Sequence, residues 1–401
     1  MTPRQRLIAA LKHQEADRVP RDLGGPVTGI HRDAYDRLKI LLGIDEPTEI
    51  FDLKQQLASC SEAVLQALGI DTRFLDSGSR AGEGLEISED EQYFGYRDEW
   101  GIEWRMPKAK PLYYDMVNHP LAGLSAEDLA HYDFPPLARA DAPHIAELGK
   151  RARELYEGTD YALVAFGPGR FFEFAWYLRG FENYMMDMVL DERFLNRLLD
   201  VMLEHSMADW EAQLSAVGPY VQVVQMADDL GHQGGPMMSL ELYRKYIKPR
   251  QKELIAFVRE RTDAFMFLHS CGSIRQFLPD FIEVGIDIIN PVQPGAADMD
   301  AQALKSEFGD RLSFWGGIDT QRVLPEGTPE EVAEETRRVV EILGHGGGYV
   351  LNSVHNIQAD VPAENVVAMY GAATQSVSTG AGVAFRVGSG RPPHGGENHL
   401  L

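Results

Sequence analysis

The chain alternates between short apolar runs and longer segments of helical periodicity. Runs such as residues 161–166 and 264–269 are short and almost wholly apolar, which is typical of strands buried on both faces. The segment 328–343 instead spaces its apolar residues for one face of a helix and begins with a capping-box sequence. Candidate strands lie near residues 19, 72, 162, 222, 266, 288, 314 and 350, and most of them precede a predicted helix.

Eight strands alternating with helices are the number that a (β/α)8 barrel requires. A doubly wound open sheet alternates in a similar way, but no GxGxxG sequence follows a predicted strand. We therefore predict an α/β fold with a single (β/α)8 TIM barrel.

Three further features surround the predicted barrel. Residues 1–15, 31–43 and 47–69 have helical periodicity and predict an N-terminal helical extension. Residues 82–114 mix aromatic, polar and glycine residues, which indicates a β excursion laid over the barrel. Residues 376–401 are rich in glycine, serine and proline and predict a flexible tail, so that the barrel domain is expected over residues 1–375.

Composition excludes several classes of protein. The net charge of −23 argues against a nucleic-acid-binding protein, because phosphates require clustered lysine and arginine. No apolar run approaches the roughly 18 residues of a membrane helix, and the first residues form a charged amphipathic helix instead of a signal peptide. Only Cys60 and Cys271 are present, so no disulfide framework exists. We expect a cytoplasmic protein.

Polar residues follow most of the predicted strands. In a barrel these positions share one rim, where the active site is built. The set contains two histidines, one cysteine and several carboxylates, which is more than packing would explain. It consists of Asp76, Arg170, Asp228, Asp229, His269, Cys271, Asn290, Asp319, Asn352 and His355.

His269 and Cys271 form half of a predicted zinc site. Residues two apart point the same way from an extended chain, and zinc binds imidazole nitrogen and cysteine sulfur tetrahedrally. Alone, such a pair is more often a buried histidine beside an inert thiol. Other polar residues at strand ends are expected at the same rim, which favours a metal site. His355 is the first choice for a third ligand.

Asp228 and Asp229 are the predicted acid–base residues. Either could instead complete the metal shell or orient a ligand histidine. Adjacent residues of a strand point in opposite directions, so one carboxylate is expected to face the pocket and the other to cap a turn or helix. The sequence leaves open which is which.

The stretch 347–366 resembles the closing motif of the uroporphyrinogen decarboxylase superfamily. It reads Gly-Gly-Tyr-Val-Leu-Asn-Ser-Val-His-Asn-Ile-Gln-Ala-Asp-Val-Pro-Ala-Glu-Asn-Val. Phe166-Gly-Pro-Gly, Tyr177-Leu-Arg-Gly and Leu268-His-Ser-Cys-Gly match other landmarks of the family. The resemblance covers about residues 1–375 and implies a (β/α)8 barrel, in agreement with the count of strands.

The decarboxylases of this family need no metal and hold the carboxylates of a porphyrinogen with paired arginines in an N-terminal loop. The corresponding segment 20–26 keeps Arg21 but lacks a second arginine, which removes the main carboxylate clamp. Asp76 and His355 could stand at the positions of the decarboxylase aspartate and histidine. Metal-free decarboxylation of a tetrapyrrole carboxylate is therefore an alternative function.

The other branch comprises zinc methyltransferases that work with corrinoid proteins and carry the HxC motif followed by a later cysteine. His269 and Cys271 match the motif, but this chain has His355 nine positions before Glu364, where those enzymes place the cysteine. The resemblance thus implies either a His269/Cys271/His355 zinc site or a site that has lost its metal. We favour the first, because zinc accepts this set of ligands.

The resemblance implies a demethylating methyltransferase that moves a methyl group between a small methylated or methoxylated substrate, or a thiol, and a corrinoid. Arg170, Asn290 and Asp76 would bind the substrate. No corrinoid-binding segment is visible in the sequence, so cobalamin is expected on a separate partner protein.

Three questions stay open at the level of the sequence. A non-catalytic barrel that holds a tetrapyrrole or corrinoid is a third interpretation of its function. Decarboxylases of the family are often dimers, which makes a homodimer compatible with the resemblance. The sequence does not identify the methyl donor or acceptor.

Overall fold

The chain begins with short helices packed beside the main sheet. The computed structural model describes residues 1–75 and 85–373, so that Asp76 and the predicted tail over 376–401 lie outside the described residues. The first elements are α1 (Pro3–Leu11), α2 (Arg32–Leu42), β1 (Ile50–Asp52), β2 (Leu57–Ala58) and α3 (Glu62–Ala67).

The predicted helix over 47–69 is wrong for its first half. Residues 50–58 form two short antiparallel strands, and only α3 is helical. The chain reverses at Gln56, whose φ of 55° lies in the left-handed region. Periodicity of apolar residues does not reveal such a reversal.

The β excursion is a four-stranded antiparallel sheet that precedes the regular part of the chain. It agrees with the prediction over 82–114, of which residues 82–84 are outside the described part. The strand before it and its own strands are β3 (Thr72–Leu75), β4 (Ser88–Glu89), β5 (Tyr93–Arg97), β6 (Glu103–Pro107) and β7 (Asp115–Met116).

The remaining chain alternates strands with helices. Its first part contains α4 (Ala126–Ala130), α5 (Pro143–Gly158), β8 (Ala162–Phe166), α6 (Glu173–Arg179), α7 (Phe181–Leu190), α8 (Glu192–Val217), β9 (Val223–Ala227), β10 (Gly231–His232), β11 (Gly235–Pro236), α9 (Leu240–Leu242), a π-helical turn (Tyr243–Ile247) and α10 (Lys248–Arg259). Its second part contains β12 (Phe265–His269), a 3₁₀ turn (Arg275–Phe277), α11 (Leu278–Val284), β13 (Ile288–Asn290), α12 (Ala301–Phe308), β14 (Ser313–Trp315), α13 (Val323–Glu326), α14 (Pro329–Gly344), β15 (Tyr349–Val350) and α15 (Ala363–Ala372).

The main sheet is parallel and has seven strands in the order β15-β14-β13-β12-β9-β8-β3. Neighbours in this sheet follow one another along the chain, apart from the excursion and the β10–β11 hairpin. Because the strands are parallel, all their carboxyl ends lie at one edge. Seven of the eight predicted strands are thus confirmed within an α/β fold.

The eighth predicted strand, near residue 19, is not a strand. Arg21 makes only an isolated parallel bridge with Leu351, and its carbonyl accepts a hydrogen bond from Asp71 N at 2.9 Å on the other side. Pro20 has no N–H to donate, and Gly24 with its φ of 117° turns the chain away. A full ladder therefore cannot form here.

Side chains on the concave face of the sheet form a core of their own. Val223, Phe267, Ile288 and Trp315 alternate with residues that face the surrounding helices, as the period of two requires. His269 and Asn290 have the same parity as Phe267 and Ile288, and therefore continue this face at the carboxyl ends. No helix in the described part of the chain combines the length and apolar character that a membrane crossing requires.

Candidate active site

Three side chains able to bind a metal meet at the carboxyl edge of the sheet. His269 ends β12, Cys271 lies in the turn that follows, and His355 lies in the loop after β15. One ligand atom of each lies within 4.8 Å of the others, and His269 Nε2 is 3.4 Å from Cys271 Sγ. The rings of the two histidines are 5.4 Å apart between centroids. The structure thus brings together the three residues that the sequence singled out.

The turn that carries Cys271 depends on Gly272. Its φ of 82° is left-handed, and a Cβ there would lie 2.5 Å from backbone atoms of Gly231 and His232. The Gly272 N–H donates to Gln293 Oε1 at 2.8 Å. The close approach of these two backbones holds the thiol at the strand end.

Asn290 fixes the ring of His269. Its Nδ2 donates to the carbonyl of Trp315 at 2.8 Å, so its Oδ1 faces His269 and accepts a hydrogen bond from Nδ1. The proton of a neutral His269 is therefore on Nδ1, and the lone pair of Nε2 is directed toward Cys271. Asn290 is fully buried and both ends of its amide are occupied. This geometry favours a positioning role over the substrate-binding role that the sequence predicted.

Asp229 faces the three potential ligands. Its Oδ1 accepts a hydrogen bond from Cys271 N at 2.8 Å and lies 3.8 Å from His269 Nε2. The side chain is 37% exposed, so solvent reaches the carboxylate from one side. The protein around the carboxylate still removes part of its hydration, and this desolvation, with a further contribution from Glu173, raises the pKa of Asp229 to about 6, although Cys271 N–H, His355 and Arg170 act in the opposite direction.

Asp228 points the other way, toward the start of α6. Its carboxylate accepts hydrogen bonds from Phe172 N and Glu173 N, the latter at 2.7 Å. Burial raises the pKa of Asp228 to about 8, against the effect of these two N–H groups and with the support of the Glu173 and Asp229 charges. The question that the sequence left open is thus answered by geometry: Asp228 caps a helix and Asp229 faces the site.

Glu173 is a charged residue near the site that sequence reasoning missed. Tyr177 donates its hydroxyl to Glu173 Oε1. Burial acts to raise the pKa of Glu173, but Arg170, Lys54 and Tyr177 together hold it below its ordinary value. Its position three residues after Arg170, which ends the sequence Gly-Pro-Gly-Arg at the strand end, was the one signal that pointed to it.

Two cations lie beside Glu173. Neither cation makes a hydrogen bond or ion pair with any described residue: one is the Arg170 guanidinium and the other the Lys54 ammonium. The Lys54 ammonium lies 4.9 Å from the centre of the Trp104 ring. Arg170 lowers the pKa of Asp229 and opposes protonation of His269, which shows that its charge acts at the site. The predicted substrate-binding role of Arg170 stays a prediction.

The other strand-end residues are bound to the backbone. Asn352 donates to the carbonyl of Asp22 at 2.7 Å, and Asp319 accepts a hydrogen bond from Gln321 N at 2.8 Å. These contacts stabilise the loops of the rim.

Residues 100–376 match the profile of the family described as uroporphyrinogen decarboxylase (URO-D), so the chain belongs to this family. Two relatives that match along most of its length are methyltransferases. The chain is 22% identical to a methylated-thiol–coenzyme M methyltransferase of Methanosarcina mazei over 366 residues, which is 91% of this chain and 87% of that protein. It is also 22% identical over 343 residues to the methylcobamide:CoM methyltransferase MtbA of Methanosarcina acetivorans, covering 85% and 89% of the two chains.

Two further comparisons complete these findings. A uroporphyrinogen decarboxylase of Psychromonas ingrahamii is 26% identical over 179 residues, 44% of this chain and 46% of that protein. The solved structure of a methyltransferase from Methanosarcina mazei superimposes with a TM-score of 0.60 at 20% identity, covering 93% of this chain and 98% of the other. This likeness shows that the two chains share a fold.

Proposed function

We propose that this protein is a zinc-dependent methyltransferase of the demethylating type. It would transfer a methyl group between a small methylated or methoxylated substrate, or a thiol, and a corrinoid carried by a partner protein. The observation that carries the proposal is the meeting of His269, Cys271 and His355, with their ligand atoms within 4.8 Å. The long matches to methyltransferases, one named for methylcobamide, support it.

The three residues fit a zinc ion. Bonds of about 2.0 Å to nitrogen and about 2.3 Å to sulfur in a tetrahedral site place the donor atoms roughly 3.5 Å apart. The 3.4 Å between His269 Nε2 and Cys271 Sγ agrees with this spacing, and the donor atom of His355 lies within 4.8 Å of both. Burial raises the pKa of the Cys271 thiol, and Asp229 and Glu173 raise it further, so a thiolate here needs a cation beside it. Three protein ligands leave a fourth position for substrate.

The proposed chemistry divides between the metal and the chain. A zinc ion held there would supply Lewis acidity toward an oxygen or sulfur of the substrate. With only one thiolate ligand, the zinc ion would stay more positive than with two. Such an ion is better suited to polarising a neutral ether oxygen than to producing a strongly nucleophilic thiolate from a bound thiol. Asp229, with its pKa of about 6, would exchange the proton of the leaving alcohol or thiol. Asp228 would position Glu173 through the start of α6, and Arg170 would hold the substrate.

The proposed fold extends beyond the seven strands. The segment 20–22 would take the place of the eighth strand, because it forms backbone hydrogen bonds with Leu351 on one side and Asp71 on the other. We propose on this basis one closed barrel domain over residues 1–375.

The test of the proposed function combines metal analysis with a transfer assay. The full chain, purified without chelator, is expected to hold about one zinc per chain, and His269→Ala is expected to lose it. Incubation with cob(I)alamin and a panel of methoxylated and methylthio compounds should produce methylcobalamin, whose formation is measured by absorbance. Metal-free protein that decarboxylates a porphyrinogen would overturn the proposal. Tight corrinoid binding without turnover, unaffected by Asp229→Asn, would support a non-catalytic barrel.

Metal-free decarboxylation is the second candidate, because the family and one relative carry that name. Arg21 argues against a carboxylate clamp of the decarboxylase kind. Its side chain is buried, and Nη1 donates to the carbonyl of Leu68, which precedes the amino end of β3. The guanidinium is thus directed away from the edge of the sheet where His269 and His355 meet.

Replacement of Asn290 tests the positioning of His269. Asn290→Ala is expected to weaken zinc binding by roughly 10- to 100-fold, because the ring loses the partner that fixes its tautomer and direction. Competition with a chromophoric chelator measures the affinity. Asn365→Ala is the matched control, since Asn365 is equally buried and bonds to the carbonyls of Leu324 and Gly327 far from the site. Equal zinc affinities in the two variants would contradict the assignment.

A further inference from the structure

A cavity lies beside the candidate active site. Its volume is 320 Å³, and it is bounded by the turn between β5 and β6, by α8 and by the loop after β8. Arg170 lines it, and the charge of Arg170 also acts on Asp229 and His269 of the candidate active site. The cavity is large enough for a small organic molecule.

Aromatic rings form one wall of this cavity. The Trp100 ring lies 5.2 Å from Phe174, edge to face, and 4.7 Å from the ring of His205. Asp98 holds Trp100 in place, because its Oδ1 accepts hydrogen bonds from the N–H groups of Trp100 and Ile102 at 3.0 and 2.9 Å. The rings are therefore ordered before any ligand arrives.

Polar groups of α8 face the cavity without partners. Ser206 is only 5% exposed, yet its hydroxyl makes no hydrogen bond with any described residue. The Asp209 carboxylate, three positions further along the helix, likewise has no hydrogen bond or ion pair in the described part of the chain. Burial and then the neighbouring Glu99 raise the pKa of Asp209 to about 6, which His144 opposes. Asp209 is partly exposed, and both residues line the cavity, so their hydroxyl and carboxylate groups are available to a ligand there.

The charges around the cavity favour a cation. Asp98, Glu99 and Asp209 line it against the single guanidinium of Arg170. Burial lowers the pKa of His205, so this imidazole is neutral at neutral pH. An excess of carboxylates beside aromatic faces is the environment that binds organic ammonium groups.

We propose that this cavity binds the ammonium group of a small organic cation, held over Trp100 and Phe174 with Asp209 as its counter-charge and Ser206 as a hydrogen-bond partner. The site is distinct from the His269, Cys271 and His355 cluster. Binding there requires no metal, and the cavity shares only Arg170 with the substrate site proposed above.

Choline and 3,3-dimethylbutanol test the proposal, because they share a shape and differ in charge. Calorimetric titration of the full chain is expected to show saturable choline binding, at least roughly tenfold tighter than binding of the neutral alcohol. Quenching of tryptophan fluorescence should follow the same curve, and the response should be lost in Trp100→Leu. Equal binding of the two compounds, or no saturable choline binding, overturns the proposal.

Variants on α8 locate the bound cation. Asp209→Asn is expected to weaken choline binding by roughly tenfold. Glu204→Gln removes the same charge from an exposed position of the same helix outside the cavity and should leave binding unchanged. Thermal melting confirms that each variant is folded, and Ser206→Ala provides a second cavity variant with an expected smaller loss. Equal effects of Asp209→Asn and Glu204→Gln would show that choline is attracted non-specifically by negative charge, and would overturn the proposal.

Discussion

Replacing His355 by alanine is expected to lower bound zinc from about one ion per chain to a trace and to abolish methyl transfer. Cys271 and His269 would remain, but two protein ligands from one short turn do not complete a zinc site. The loop after β15 supplies the third ligand from a distant part of the chain, so its loss separates the two halves of the site. Elemental analysis after dialysis measures the metal, and formation of methylcobalamin measures the reaction.

Two companion variants sharpen this experiment. His355→Cys should retain zinc, because a thiolate is also a zinc ligand. His345→Ala, at an exposed position of the loop before β15, should keep both metal and activity. A His355→Ala protein that binds zinc as the wild type does would exclude His355 as a ligand and leave the proposed site without support.

Replacing Asp71 by alanine is expected to destabilise the protein by about 3–5 kcal/mol. The Asp71 side chain is 1% exposed and accepts hydrogen bonds from Arg6 Nη1 and Arg18 Nη1, each at 2.6 Å, and from Arg21 N at 2.8 Å. Without the carboxylate, the largely buried Arg6 guanidinium loses its most buried counter-charge. The free energy of unfolding from urea titration measures the effect.

Asp17 offers a matched control for Asp71. It pairs with the same Arg6 at 2.6 Å, but its side chain is 43% exposed. Asp17→Ala should therefore cost only about 1 kcal/mol, as expected for a pair that water can replace. Similar losses in the two variants would show that burial of the charge is not what makes Asp71 important.

The sequence predicted the main sheet well because its strands are buried on both faces. Runs such as Phe265–His269 must be almost wholly apolar, so they stand out from the helices between them. The polar residues that end such runs, His269 among them, are then found without any knowledge of the fold. His355 was reached through the same argument, since it follows the last strand.

Other features were hidden because they depend on contacts between distant residues. The reversal at Gln56 interrupts a segment of helical periodicity, and Lys54 beside it was therefore missed. The different directions of Asp228 and Asp229 follow from the position of α6, which no local pattern indicates. Asn290 was assigned to substrate because nothing in the sequence shows that its amide lies between His269 and Trp315.

The bond between Asn290 and Trp315 has a consequence for how this protein can change. Trp315 also donates its indole N–H to Asp22 Oδ2 at 3.0 Å, so contacts through Asn290 and Trp315 connect the imidazole of His269 to the segment 20–22 between β3 and β15. The sequence of the rim loops can therefore change while Asn290 and Trp315 continue to fix the direction of the imidazole. Because Asn290 bonds to the backbone carbonyl of Trp315, a change of the Trp315 side chain would reach the imidazole only by shifting that backbone.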